Sequence, residues 1–136
     1  MRTVETVNLD DARRVIAAGE EAARSEGQPV NIAVVDVGGN LVAHIRQDGA
    51  WLGSVDIAIN KAYTARAFDL STADLAESSK PGGQFYGIQE SNNGQVMIFA
   101  GGVPLLSGET VVGGVGVSGG TGKQDEAIAA AAAEAF

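Results

Sequence analysis

Three side chains of the sequence could move protons or hold a substrate: Lys61, Glu90 and Asp36. Lys61 lies in a helical stretch that is apolar almost all round, where a cation needs a partner or a wet cavity. It could bind a substrate carboxylate, or its side chain could extend to solvent. Glu90 and Asp36 are candidates for a general acid or base in a lyase or isomerase type of reaction. The alternatives are a solvated loop position for Glu90 and a turn acceptor for Asp36.

A second set of residues could hold a ligand. His44, the only histidine, shares a predicted strand face with Arg46. It could bind haem iron, but one histidine cannot build a zinc site, so zinc is not expected. Arg66 lies among apolar residues of the same helix as Lys61, and either cation could bind a carboxylate. For Arg66 the alternative is an ion pair with a neighbouring carboxylate or subunit.

The pattern Gly114-x-Gly116-x-x-Gly119 has the spacing of a dinucleotide-binding turn. Such a turn needs a strand–helix–strand unit and an acidic residue about 20 residues further on. That context is missing before Phe136, and Gln124 stands where a phosphate-binding loop needs Ser or Thr. No nucleotide cofactor is therefore expected.

Glycines within a strand pattern indicate instead that a backbone or a ligand approaches closely. Close packing of a helix on the sheet, or a bulge, is one explanation for each glycine alone. Gly101 and Gly102 on the neighbouring strand bring further glycines to the same part of the sheet. Together these glycines favour a ligand lying flat against the sheet. The backbone N–H groups of residues 119–123, at the start of a helix, could also bind a carboxylate.

Hydrophobic periodicity and turn signals place these residues in a single domain covering residues 1–136. The predicted elements are a helix capped by Asn8, strands 30–37 and 41–48 around a Gly-Gly-Asn turn, a helix 51–68, a loop 78–94, strands within 95–106 and 110–118, and a helix capped by Thr121. Alternation places His44 and Arg46 beside Val42, on the face opposite Leu41, Ala43 and Ile45. No strand–helix–strand unit recurs, so the order α-β-β-α-loop-β-β-α predicts an α+β fold with an antiparallel sheet flanked by helices.

Composition excludes several classes of function. The net charge of −8 lacks the basic footprint of a nucleic-acid-binding protein. The sequence has no cysteine, which removes disulfides, thiolate metal sites and cysteine nucleophiles together. No run is long enough to cross a membrane and the first residues lack a signal-peptide pattern, so a cytoplasmic location is expected.

Two separated motifs resemble those of the GlcG/HbpS family, which includes the C-terminal domain of PduO-type proteins. The first is "DGA…S.DIA..KA.TA" and the second "GG.P…VVGGVGVSGG…QDE", and the likeness covers nearly the whole chain. The resemblance implies a five-stranded antiparallel sheet flanked by helices in the profilin-like style. It also implies homo-oligomers, from dimers to larger rings.

The resemblance further implies haem as a cofactor, because some members bind haem. In haem-binding PduO-type domains a histidine near the first helix is the axial ligand, and this chain has none there. His44, Tyr63 or Tyr86 would then be the iron ligand, with propionates on Arg46, Lys61 or Arg66.

The prediction is an oligomeric protein that holds haem or another small anionic ligand against the glycine-rich sheet face. The alternative is a cofactor-independent enzyme acting on a carboxylated or carbonyl substrate. In either case Lys61→Ala is expected to weaken ligand binding or activity more than stability.

Overall fold

Helices and strands occur along the chain in nearly the predicted order. The computed structural model describes all 136 residues. The elements are α1 (Leu9–Glu26), β1 (Asn31–Val35), β2 (Leu41–Arg46), α2 (Gly53–Phe68), α3 (Thr72–Ser79), β3 (Gly102–Ser107), β4 (Thr110–Ser118) and α4 (Gly122–Glu134). Two short 3-10 turns, Ile88–Glu90 and Asn92–Gly94, lie in the long loop before β3.

The sheet has four strands in the order β2-β1-β4-β3, and every neighbouring pair is antiparallel. The α+β class is therefore confirmed, and the expectation of five strands is wrong. Residues 95–101 were predicted as the start of a strand, but β3 begins only at Gly102. The start of the preceding segment bonds to α2, because Met97 N–H donates to Thr64 Oγ1. Its last residue, Gly101, accepts a hydrogen bond from Val117 N–H of β4.

One face of the sheet carries the main hydrophobic core. Large aliphatic side chains point from the strands to this face, among them Ile32 and Val34 of β1 and Val115 and Val117 of β4. Helices α1 and α4 cover them with their own buried residues, including Ile128. The segment before α1 closes the edge of this core, where Val7 is buried and its N–H donates to Val112 O.

On the opposite face β3 and β4 carry glycines, and α2 lies directly on them. A Cβ atom added at Gly114 or Gly116 of β4 would collide with the carbonyl oxygens of Ala62 and Ala58 of α2. A Cβ atom added at Gly102 of β3 would meet the carbonyl of Lys61. The glycines thus admit the backbone of α2, and the predicted ligand against the glycine-rich face is wrong because the helix occupies that space.

Strand β2 is an outer strand, and a bulge interrupts its register with β1. The register shifts between Val34 and Val35 of β1. As a result Val42 packs against the main core together with Ala43 and Ile45. The strict alternation predicted for β2 is wrong at this position, because a bulge places two successive side chains against one partner residue.

Helix α3 was not predicted from the sequence. Ser71 caps it by accepting a hydrogen bond from Asp74 N–H, and it has only 8 residues. Both predicted capping boxes are confirmed, at Asn8 for α1 and at Thr121 for α4. None of the helices is long and apolar enough to cross a membrane.

Candidate functional site

Lys61 lies in the interior between α2, β4 and α4. Its side chain is fully buried, and its Nζ lies 3.1 Å from Asp125 Oδ2. Nζ also donates to Val117 O at 2.8 Å and lies 4.9 Å from the centre of the Phe99 ring. Gly101 leaves room for this ammonium, since a Cβ atom there would lie 2.7 Å from Nζ.

The surroundings of Lys61 determine its charge. Burial lowers the pKa of Lys61, while the carboxylates of Asp125 and Glu126 act in the opposite direction. The ammonium meets a carboxylate, a carbonyl and an aromatic face, so each of its donors has a partner. Within this chain Lys61 therefore joins α2 to α4 and has no open side toward a ligand.

The two carboxylates predicted as acids or bases lie apart from Lys61 and from each other. Asp36 Oδ1 accepts hydrogen bonds from the N–H groups of Gly38 and Asn40, which closes the turn between β1 and β2. Glu90 is exposed at the end of a 3-10 turn in the long loop. The structure does not bring Lys61, Asp36 and Glu90 together into one acid–base site.

His44 of β2 lies beside Asn31, the first residue of β1, on the α2 side of the sheet. His44 Nε2 is 3.0 Å from Asn31 Oδ1, and Asn31 Nδ2 donates to Trp51 O at 3.1 Å. Because the Trp51 carbonyl can only accept, the amide of Asn31 is fixed with its oxygen toward His44. Neutral His44 must therefore carry its proton on Nε2, which leaves a lone pair on Nδ1.

The free nitrogen of His44 reaches solvent. Nδ1 has no hydrogen-bond partner and is not a buried polar atom. Burial of the ring lowers the pKa of His44 below its ordinary value of 6.5. The imidazole is thus neutral at pH 7, held by one nitrogen and open at the other, which is how metal-binding histidines are commonly oriented.

The surface around His44 combines a cation with exposed apolar side chains. Arg46 lies two residues along the same strand, and its Nε donates to Ala50 O. Trp51 and Leu52, just before α2, are 71% and 72% exposed. None of the pockets in the chain includes His44, so this site is an open surface and not a cavity.

Tyr63 and Arg66 lie together near the other end of α2. Tyr63 OH donates to Asn92 Oδ1 at 2.7 Å, and Arg66 Nε donates to Val37 O at 2.7 Å. Both side chains line a pocket of about 310 Å³ beside the turn between β1 and β2. Tyr86 is not part of this group and lies exposed in the long loop.

Two of the N–H groups of residues 119–123, which are predicted to bind an anion, have partners within the chain. Gly120 N–H donates to Asp125 Oδ1, and Thr121 N–H and Gln124 N–H take part in the capping box. Gly119 (φ 142°) allows close approach to Pro29 and Val30, where an added Cβ would collide with backbone atoms. Gly119 thus serves packing at this corner of the fold.

Two residues that matter for these sites were not singled out in the sequence. In the sequence Asp125 is one of several residues of the helix that begins after Thr121, and Asn31 is one residue of the predicted strand 30–37. A lysine within an apolar helix indicates that a carboxylate must be buried elsewhere, but that signal does not single out Asp125. The chain contains no group of three or more His, Asp or Glu residues placed to hold a metal ion.

The protein is thus a single α+β domain with a four-stranded antiparallel sheet, helices on both faces and a histidine at its surface. The model of the family described as "Haem degrading protein HbpS-like" matches residues 7–134. The chain belongs to the HbpS-like family, as the two motifs predicted.

Sequence relatives agree with this membership. An uncharacterized 15.0 kDa protein of the dhaT-dhaS intergenic region of Citrobacter freundii is 39% identical over 98% of this chain and 94% of its own length. The corrinoid adenosyltransferase PduO of Salmonella typhimurium is 33% identical, and the match spans 98% of this chain but only 40% of PduO.

Solved structures share the fold over almost the whole chain. Klebsiella pneumoniae protein ORFY superposes with a TM-score of 0.97 and is 38% identical, covering 100% of this chain and 94% of ORFY. A PduOC:haem complex superposes with a TM-score of 0.91 at 33% identity, covering 98% of this chain and 96% of PduOC.

Proposed function

We infer that this protein binds haem at its surface, with His44 Nδ1 as the iron ligand. The observation that carries this proposal is the chain of hydrogen bonds from Trp51 O through Asn31 to His44 Nε2. It fixes the tautomer with a free lone pair on Nδ1, and burial keeps the ring neutral. The structure of a related protein as a haem complex supports haem as the bound group.

The residues around His44 fit a haem group in their chemistry. A haem group held through histidine uses a neutral nitrogen ligand, an apolar surface for its ring and a cation for its propionates. His44 offers the first, the exposed side chains of Trp51 and Leu52 the second, and the guanidinium of Arg46 the third. Once bound, haem would supply an iron centre whose ligation and potential depend on these neighbours.

A flat ligand on this open surface would leave its outer face in water. The exposed Trp51 and Leu52 are large apolar side chains with no cover within the chain. We infer that a second copy of the chain covers this surface in a homo-oligomer, which would bury both the ligand and these side chains. The expected assembly ranges from a dimer to a larger ring.

The test is a haem titration of the purified protein, followed by Soret absorbance. We expect saturation at one haem per subunit, and loss of the sharp band in His44→Ala. Asn31→Ala keeps His44 but removes the hydrogen bond that orients its ring. We expect the affinity for haem to fall by about 10- to 100-fold. Tyr63→Phe and Tyr86→Phe are matched controls for the two tyrosines that could replace His44, and both should bind like the wild type.

Two outcomes would contradict the proposal. One is weak, unsaturable haem binding that is indifferent to His44→Ala. The other is a normal band in His44→Ala together with an altered band in either tyrosine variant, which would move the ligand elsewhere. Sedimentation with and without haem measures the assembly, and a monomer in both conditions would contradict the covering by a second copy.

A further inference from the structure

Three non-glycine residues of the chain have positive φ: Asp69, Asn92 and Asn93, with φ of 54°, 54° and 56°. Backbone in this region costs free energy for a residue with a side chain, and such positions concentrate at ligand sites. Of the three, Asn92 lines a pocket with Tyr63 and Arg66, and Asp69 is the C-cap of α2 beside it. The Asp69 carboxylate accepts from Arg66 Nη1, and the Asn92 amide oxygen accepts from Tyr63 OH.

The pocket between these side chains has a definite composition. It is lined by Val37, Gly38, Gly39, Tyr63, Arg66, Ala67 and Asn92, with a volume of about 310 Å³. Arg66 is the only charged residue of this lining, in a chain of net charge −8. The Tyr63 ring forms a fixed wall, because it packs against Gly39, whose φ of 78° suits glycine.

Most hydrogen-bonding groups of the pocket have partners, so the free ones indicate what it would bind. The N–H groups of Val37, Gly38 and Gly39 donate to Thr6 Oγ1, Asp36 Oδ1 and Asp36 O. Arg66 Nη2 makes no hydrogen bond within the chain, and Nη1 meets only the exposed Asp69.

The donors left over include both N–H groups of Arg66 Nη2, the second N–H of Nη1 beside Asp69, and one N–H of Asn92, whose Nδ2 donates to Ser91 Oγ. A planar guanidinium fork is matched by a carboxylate, which it can bind through two parallel hydrogen bonds.

We propose that the Tyr63–Arg66–Asn92 pocket binds a small carboxylate, with the carboxylate on Arg66 and the organic group against the Tyr63 ring. This site is separate from the haem surface and does not depend on it. His44 bonds to Asn31 near the start of α2, whereas Arg66 bonds to Val37 beyond the far end of β1. The helix alone separates Gly53 from Arg66 by about 20 Å, at 1.5 Å per residue.

The test uses the full chain labelled with ¹⁵N and four carboxylates as probes: acetate, propionate, lactate and benzoate. Backbone amide shifts of Gly38, Gly39 and Asn92 report the pocket. We expect at least one carboxylate to give saturating shifts there, and neutral benzamide and inorganic phosphate to give none. Arg66→Lys keeps the charge but not the fork, and it should weaken binding by about tenfold or more.

A gain of binding separates this proposal from a merely structural role of Arg66. Asp69→Asn removes the carboxylate that competes for Arg66, and asparagine tolerates the positive φ of this position. We expect Asp69→Asn to tighten carboxylate binding several-fold, and Arg13→Lys, on the exposed face of α1, to change nothing.

Absence of saturating shifts with all four carboxylates would overturn the proposal. Equal binding of benzamide would also overturn it, since the Arg66 charge would then play no part. Equal binding of phosphate would show a general anion site in its place. A failed haem titration would not change these outcomes, because the amides that report carboxylate binding lie at the other end of α2 from His44.

Discussion

Lys61 Nζ lies 3.1 Å from Asp125 Oδ2, and the two side chains are 0% and 4% exposed. The pair connects α2 on one face of the sheet to α4 on the other, past the end of β4, whose Val117 carbonyl also accepts from Nζ. The stability of a buried charge depends on its partner, because no water in the interior can take the place of that partner.

Removing one partner of this pair should destabilise the fold. We expect Lys61→Ala and Asp125→Asn each to lower the free energy of unfolding by about 3–5 kcal/mol, since each leaves the other group buried without its partner. The double variant Lys61→Ala/Asp125→Asn should lose less than the sum of the two. Urea unfolding measures all three, and additive losses would contradict the coupling.

This expectation reverses the one drawn from the sequence, in which Lys61→Ala weakens binding more than stability. At temperatures where Lys61→Ala remains folded, its haem affinity should equal that of the wild type. A large loss of haem affinity in a folded Lys61→Ala variant would show that Lys61 takes part in ligand binding.

The glycines under α2 should tolerate no side chain. Gly116→Ala places a methyl group against the Ala58 carbonyl and the Ala62 amide nitrogen, which are backbone atoms and cannot rotate away. We expect a loss of about 1–3 kcal/mol or more in the free energy of unfolding. Gly53→Ala, at the first position of α2 with nothing within 4 Å, is the control and should be neutral or stabilising. Equal effects of the two variants would contradict the close approach of α2.

The tautomer of His44 can be observed directly. Long-range ¹H–¹⁵N spectra should show the proton on Nε2 and a bare Nδ1 in the neutral ring, and this preference should weaken in Asn31→Ala. A proton found on Nδ1 would remove the basis for iron ligation at that atom.

The stability of the fold should depend on the protonation of His44. Burial lowers the pKa of His44 below 6.5, so the unfolded chain binds this proton more readily than the folded one. The contribution to stability is complete above pH 6.5 and is lost as the pH falls from 6.5 through the lowered pKa. His44→Gln should remove that part of the pH dependence, and an NMR titration of the ring that gave a pKa above 6.5 would contradict the sign.

The cap of α4 gives a further prediction. Thr121 Oγ1 accepts from Gln124 N–H, and Gln124 Oε1 accepts from Thr121 N–H. Thr121→Ala should lower the free energy of unfolding by about 1 kcal/mol, as loss of a helix cap usually does. Ser25→Ala, at an exposed position of α1, should stay within about 0.5 kcal/mol of the wild type. Similar losses in both variants would show that the cap contributes nothing specific.

Local signals in the sequence predicted most of the elements. Asn8 with Asp11, and Thr121 with Gln124, mark helix starts because their side chains bond to nearby backbone groups. The pattern Ser71-x-x-Asp74 carries part of the same signal for α3, but 8 residues show little periodicity. Residues 95–101 look like a strand in composition, and the bonds of Gln95 and Met97 to Thr64 of α2 are visible only in the structure.

The candidate sites depended on contacts that local patterns do not contain. The sequence identified Lys61 as an unusual cation but not its partner Asp125, which lies 64 positions further on. It singled out His44, but Asn31 as the residue that orients His44 follows only from the pairing of β1 with β2. The glycine pattern predicted a close approach correctly, and the approaching group is a helix and not a ligand.

The position of β4 in the sheet has a consequence for how the chain is made. β4 lies between β1 and β3, yet it follows all the other strands in the sequence. During synthesis the hairpin of β1 and β2 emerges with the inner edge of β1 unpaired, and Lys61 emerges without Asp125. The nascent chain must keep that edge from pairing with other chains until β4 arrives, so folding is completed only after β4 and α4 have been added.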